Sequence, residues 1–212
     1  MVNYLKKTSK QIKTAFIVIG VLIFIIAAVL AFGFYLFRDL SPINEEVTDI
    51  ANYSEFMGSN GKHSKKYLIY NDIFPDRIPN SAEVEDFYYY YYNPWDPNFV
   101  DYLVYTCGQD EYKAEVERLS KLNSTKDYLK YSSKGFNYPV CAVYANNYGY
   151  IYALADKENS RLIYVEITFC NLFSDINYEH IIDKQYLPTG FNAKIGNATR
   201  KAYDAGSKSS DK

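Results

Sequence analysis

Cysteine and histidine are the scarcest chemistry-bearing residues in this chain of 212. Cys107, Cys141 and Cys170 are its three cysteines, and His63 and His180 its two histidines. No CxxC or HxxxH spacing occurs, and a zinc site needs clustered ligands, so no metal and no cofactor are expected. Three cysteines allow one disulfide with one thiol left over, in any of three pairings. Each also follows an apolar run and reads equally well as a small buried hydrophobe. No cysteine precedes Cys107, which excludes a lipid-modified cysteine near the N-terminus. Gly58-Ser-Asn-Gly-Lys-His-Ser has the wrong spacing for a phosphate loop, which needs four residues between its glycines.

Charge is missing from one stretch altogether. Ala15 to Phe37 reads AFIVIGVLIFIIAAVLAFGFYLF, 23 residues with no Asp, Glu, Lys or Arg. Roughly 20 apolar residues cross a hydrocarbon core, and a helix satisfies its own backbone there. Cleaved signal sequences have apolar cores of about 7–15 residues. Val29-Leu30-Ala31 is a tolerable cleavage site, but the apolar run continues past it, so an uncleaved anchor in the lipid bilayer is expected. Acidic residues are also absent before Asp39, while Lys6, Lys7, Lys10 and Lys13 precede the apolar run. After Arg38 come Asp39, Glu45, Glu46 and Asp49. This asymmetry predicts a cytoplasmic N-terminus and an outer C-terminal domain.

Residues 1–38 take five of the 23 basic residues. That leaves 18 against all 25 acidic ones, a net charge of −7 for the rest of the chain. An acidic domain argues against nucleic acid as a partner. The sequence divides into a basic stub (1–14), the membrane helix (15–37), a polar tether (38–66), a folded domain (67–200) and a polar tail (201–212). The tether carries His63, expected to be solvated.

Tyrosine is abundant, at 24 residues, and asparagine numbers 17. AT-rich codons produce both, so base composition accounts for part of the excess. Asn-x-Ser/Thr triplets start at Asn52, Asn123 and Asn197, a chance product of such a composition. Tyr67–Tyr70 reads as a short strand. The run Ala82–Tyr92 and the stretch Phe99–Cys107 read as a hairpin across the Asn93-Pro-Trp-Asp-Pro-Asn turn. Asp110–Leu122 has helical spacing at Tyr112, Val116 and Leu119, with acids at its start and Lys121 at its end. After a loop over Lys130–Tyr138, Pro139–Ala145, Tyr148–Ala155 and Arg161–Cys170 form an antiparallel meander, because their turns are short. A short helix follows at Tyr178–Lys184. The expected fold is α+β: an antiparallel sheet of about five or six strands with one amphipathic helix packed on it.

The order of FPDRIP, the aromatic strand, YLVYTC, DEYKAEVERL and YALAD–RLIYVEITF resembles small membrane-attached extracytoplasmic proteins of low-GC Gram-positive bacteria (Firmicutes). The resemblance covers roughly Tyr67 to Gly190. It implies a cell-envelope location and brings no catalytic residue with it.

Alternation along the aromatic strand sends Phe87, Tyr89 and Tyr91 one way and Tyr88, Tyr90 and Tyr92 the other. One set belongs to the core. The other, with Trp95 and Asp96, is the candidate binding face for an envelope protein or glycan, since tyrosine rings offer large contact area at low entropy cost. A tyrosine ladder that only stabilises the sheet is the competing reading. An enzymatic alternative is a cell-wall hydrolase or transpeptidase pairing one cysteine with His180. No acidic pair stands out for glycoside hydrolysis.

Overall fold

The computed structural model describes residues 2–39, 43–67, 71–94, 96–122, 135–146, 149–168 and 176–189. Leu68–Tyr70 of the first expected strand, Trp95, Cys170, Asn123 and Asn197, most of the Lys130–Tyr138 loop and the tail lie outside them. The chain forms two units, residues 1–41 and 42–212.

The first unit is a helix, α1 (Val2–Asp39). Within its stretch Thr14–Leu36 an 18-residue window reaches a mean hydropathy of 3.2, and none of that window is buried against protein. Phe16, Phe24 and Phe34 are at least 70% exposed. At 1.5 Å per residue such a stretch is about 35 Å long, enough to cross a bilayer.

The second unit is built on a six-stranded antiparallel sheet. Its strands are β1 (Ile43–Val47), β2 (Glu83–Asn93), β3 (Asn98–Thr106), β4 (Val140–Asn146), β5 (Gly149–Asp156) and β6 (Arg161–Thr168), in the order β1-β2-β3-β6-β5-β4. The β2–β3 hairpin and the β4-β5-β6 meander form as expected, and they join where β3 pairs with β6. Close packing of β5 on β6 requires glycine at Gly149, where a Cβ would run into the Ile167 carbonyl. The expected helix is α4 (Gln109–Ser120), with Asp110 and Glu111 in its first turn.

Both faces of the sheet are covered. On one, α4 and residues 50–67 and 71–74 lay Tyr53, Phe56, Phe74, Tyr112 and Leu119 over Phe87, Tyr89, Leu103, Tyr105 and Tyr164. On the other, Tyr178, Ile182, Tyr186 and Leu187 cover Tyr102, Tyr150, Tyr152, Val165 and Ile167. Strands β3, β5 and β6 are therefore buried almost continuously. Several tyrosines suit this core because their hydroxyls find partners within it, although that of the fully buried Tyr89 finds none among the described residues. Tyr53 donates to the Pro75 carbonyl at 2.6 Å, Tyr152 to the Tyr186 carbonyl at 2.8 Å and Tyr164 to Glu115 Oε1 at 2.7 Å.

The stretch expected to be a tether is part of this fold. Ile43–Val47 pairs with β2, and short helices α2 (Tyr53–Phe56) and α3 (Lys62–Lys65) follow. Tyr53, Phe56, Met57 and His63 are buried, so His63 is not the solvated residue its polar neighbours suggested. The pieces are four or five residues each, too short to show a period.

A buried His–Asp–Glu cluster as candidate functional site

One row of Cα partners crosses the entire sheet: Val47, Tyr89, Asp101, Glu166, Ile151 and Tyr144. At its centre two acids stand directly opposite one another on β3 and β6, and both are 0% exposed. Like charges facing across strands repel, and burying either alone is costly. The sequence places them there by period: Asp101 shares its face with Phe99 and Leu103, and Glu166 with Tyr164.

His63 closes the cluster from above. Its Nε2 lies 3.1 Å from Glu166 Oε2 and 3.5 Å from Asp101 Oδ2, and the residue is 1% exposed. Its ring packs on Phe99, with centroids 4.5 Å apart. The turn that delivers it depends on Gly61, where a Cβ would collide with the Phe56 and Met57 carbonyls.

Asn71 is the fourth member. Its Oδ1 accepts the backbone N–H of Ile73 at 3.1 Å and of Phe74 at 3.2 Å. That fixes the amide's orientation, so Nδ2 donates to Glu166 Oε2 at 2.7 Å. The same loop is clamped by Arg118 of α4, which donates to the Asp72 and Ile73 carbonyls, each at 2.7 Å. Arg118 in turn is held by Glu115, the acceptor of the Tyr164 hydroxyl. A continuous chain of polar contacts thus runs from β6 through α4 and back to β6.

The outer oxygens of both carboxylates are also held. Asp101 Oδ1 accepts the Tyr90 N–H at 3.3 Å, and Glu166 Oε1 accepts the Thr168 hydroxyl at 3.2 Å. Burial, and then the Glu166 carboxylate, push the Asp101 carboxyl well above its usual range. His63 and the Tyr90 N–H oppose this more weakly.

The aromatic strand alternates as expected. Phe87, Tyr89 and Tyr91 enter the core, and Tyr88, Tyr90 and Tyr92 are half-buried on the opposite face. Tyr88 and Tyr90 stack with centroids 6.3 Å apart, and Tyr88 donates to Glu46 Oε1 at 2.8 Å. Asp96 is half-buried in the β2–β3 turn, where its carbonyl accepts Asn98 Nδ2 at 2.8 Å. Trp95 lies outside the described residues. A surface hollow lined by Ile50, Tyr53, Ser54, Arg77 and Ile78 contains neither these residues nor the buried cluster.

Cys107 and Cys141 are free thiols, both half-buried. Burial, then Glu115, push the Cys141 thiol up to about 11, and burial with Glu111 and Glu115 raises Cys107. His180 is exposed in a turn of 3-10 helix. At pH 7 a thiol near 11 is about one part in 10⁴ thiolate. Iodoacetamide is therefore expected to leave Cys141 unmodified in folded protein at pH 7 and to alkylate it after unfolding in urea. Site-resolved mass spectrometry checks this, and rapid alkylation of Cys141 in the folded state would contradict it.

Sequence reasoning passed over the cluster. Asp101 and Glu166 did leave a signal, as single acids inside the apolar strands FVDYLVY and LIYVEITF. His63 and Asn71 left none. Comparison with protein-family models, curated proteins and solved structures finds no match, so the functional reading rests on geometry and sequence.

Proposed function

We propose that this is a single-pass membrane protein whose α+β domain lies outside the cytoplasm and serves the cell envelope of a low-GC Gram-positive bacterium as a non-catalytic binding module. The observation that carries the reading is the apolar stretch Thr14–Leu36 of α1, none of whose most apolar window is buried against protein. Apolar side chains over that length are stable in lipid and not in water. The lysines before it and the acids after it support a cytoplasmic N-terminus. The partner is an envelope protein or glycan, met through Tyr88, Tyr90, Tyr92 and Asp96, with Trp95 joined to them on the sequence reading alone. Half-buried stacked tyrosines are rigid and retain open ring surface, which supports this surface. For Cys107 and Cys141 the Cys–His alternative has no observation in its favour, since burial and nearby carboxylates raise both thiols.

Two measurements test the reading. In intact protoplasts, added protease is expected to digest a C-terminal tag and spare an N-terminal one; the reverse pattern would overturn the topology. For the binding face, detergent-solubilised protein is expected to co-sediment with purified cell-wall glycan, and Y88A/Y90A/W95A to lose this at least tenfold. Co-sedimentation unchanged by the triple substitution would rule out the face.

A further inference from the structure

We propose that His63, Asp101 and Glu166 form a buried site for a first-row transition-metal dication of the zinc type, with Asn71 holding Glu166 in place. The inference is independent of the membrane topology and of the tyrosine face.

The donor atoms have the right identity and spacing. Imidazole nitrogen and carboxylate oxygen are the ordinary zinc donors, at about 2.0–2.2 Å, and two donors on one tetrahedral ion then stand about 3.4 Å apart. His63 Nε2 stands 3.1 Å from Glu166 Oε2 and 3.5 Å from Asp101 Oδ2. One donor atom from each of the three residues lies within 4.8 Å of the others. They come from α3, β3 and β6, so the convergence is a product of the tertiary fold and not of one local turn.

An independent observation lies in Asp101 itself. Its Oδ1 is occupied by the Tyr90 N–H, while Oδ2 is fully buried, accepts no hydrogen bond among the described residues, and points at His63 Nε2. A carboxylate oxygen left so in a dry core suits a ligand that supplies positive charge. Charge balance agrees. Two carboxylates and a neutral imidazole carry two negative charges, which a dication neutralises. His63 is the cationic partner that either carboxylate has among the described residues, and one imidazolium would leave a negative charge over. Hydrogen bonds of the kind a metal site uses to aim its ligands hold both carboxylates: Thr168 on Glu166 Oε1, Asn71 on a second lone pair of Glu166 Oε2 itself, and the Tyr90 N–H on Asp101 Oδ1.

The choice of metal follows from the donors. Calcium seeks six to eight oxygens at about 2.3–2.6 Å, and magnesium retains several waters. A closed trio containing one nitrogen offers neither. Among the described residues no thiol joins the cluster to select copper(I). The ion would join three segments far apart in sequence, with water as the fourth donor of a tetrahedral site.

The test uses the full-length protein in detergent, unfolded in urea and refolded with ZnCl2 or CoCl2, then desalted. Elemental analysis is expected to find about one zinc per chain in the parent and less than a tenth of that in D101N. Asparagine keeps the side chain's shape and removes a buried charge, so D101N is expected to fold, and circular dichroism verifies it. Cobalt is expected to give the intense visible bands of a tetrahedral centre in the parent alone. Chelation is expected to lower Tm of the zinc-loaded parent, with recovery on zinc but not on calcium or magnesium, and to leave D101N unmoved. Zinc uptake that is absent from the parent, or that persists equally in D101N, would overturn the proposal. E166Q provides a second variant with the same expected losses.

Discussion

Tyr164→Ala is expected to destabilise the domain by about 3–5 kcal/mol, the range for removing a large buried aromatic. Tyr164 sits in the central strand β6 and is 0% exposed. Its ring packs against Phe74 and Tyr105, with centroids 5.5 and 5.9 Å away. Truncation leaves a cavity in the thickest part of the core, and it also strips a donor from Glu115, the residue that orients Arg118. The loop carrying Asn71 then loses part of its clamp. Since whole domains are stable by only about 5–15 kcal/mol, this one change consumes a large share. Urea denaturation should show a lower midpoint with an unchanged slope. Tyr164→Phe separates the two contributions: it keeps the ring and loses a hydroxyl bonded to a carboxylate, for an expected cost of roughly 1–3 kcal/mol. Equal losses in both variants would mean that the hydroxyl, and not ring packing, dominates the site.

His63→Ala should cost a similar amount, about 3–5 kcal/mol, for a different reason. It removes the one imidazole that faces both acids, so the opposed Asp101 and Glu166 must take up a proton or stand as like charges in a dry core. The packing of the imidazole on Phe99 is lost as well. Adding Asp101→Asn should restore part of the stability, because it removes one charge and supplies an amide donor to Glu166. Groups in direct contact couple by about 0.5–3 kcal/mol, so the double variant should be more stable than the sum of the two single losses implies by an amount in that range. Denaturation of the four proteins of the cycle, all treated with chelator, gives the coupling directly. A double variant less stable than either single one would show that charge repulsion is not what His63 relieves.

The elements with a clear period were legible in the sequence. Tyr112, Val116 and Leu119 marked α4, and short turns forced β4, β5 and β6 into a meander. Alternation along the aromatic strand sorted Phe87, Tyr89 and Tyr91 from Tyr88, Tyr90 and Tyr92 correctly. Strand β1 escaped notice because INEEV is too short and too acidic to read as a strand until β2 is there to pair with it. The covering of the second face escaped because Ile176–Leu187 is two 3-10 turns and not a helix with a stripe. The cluster was least visible of all. Asp101 and Glu166 are 65 residues apart and meet only through the β3–β6 pairing, which no local turn dictates. His63 looks solvated beside Lys62, Ser64 and Lys65, and only the packing of α3 onto Phe99 buries it.

The opposed acids at the centre of the sheet also govern alignment. Strands β3 and β6 are buried on both faces and mostly apolar on both, so hydrophobic pattern alone discriminates poorly between their possible registers. A slip of one residue would place Val165 or Ile167 opposite Asp101 and swing Glu166 through the sheet, into the layer of Tyr102, Tyr152 and Ile182. There it would have neither His63 nor Asn71 within reach. Two residues that weaken the core energetically thereby act as a key, admitting one alignment of the strands that join the halves of the domain and excluding its neighbours.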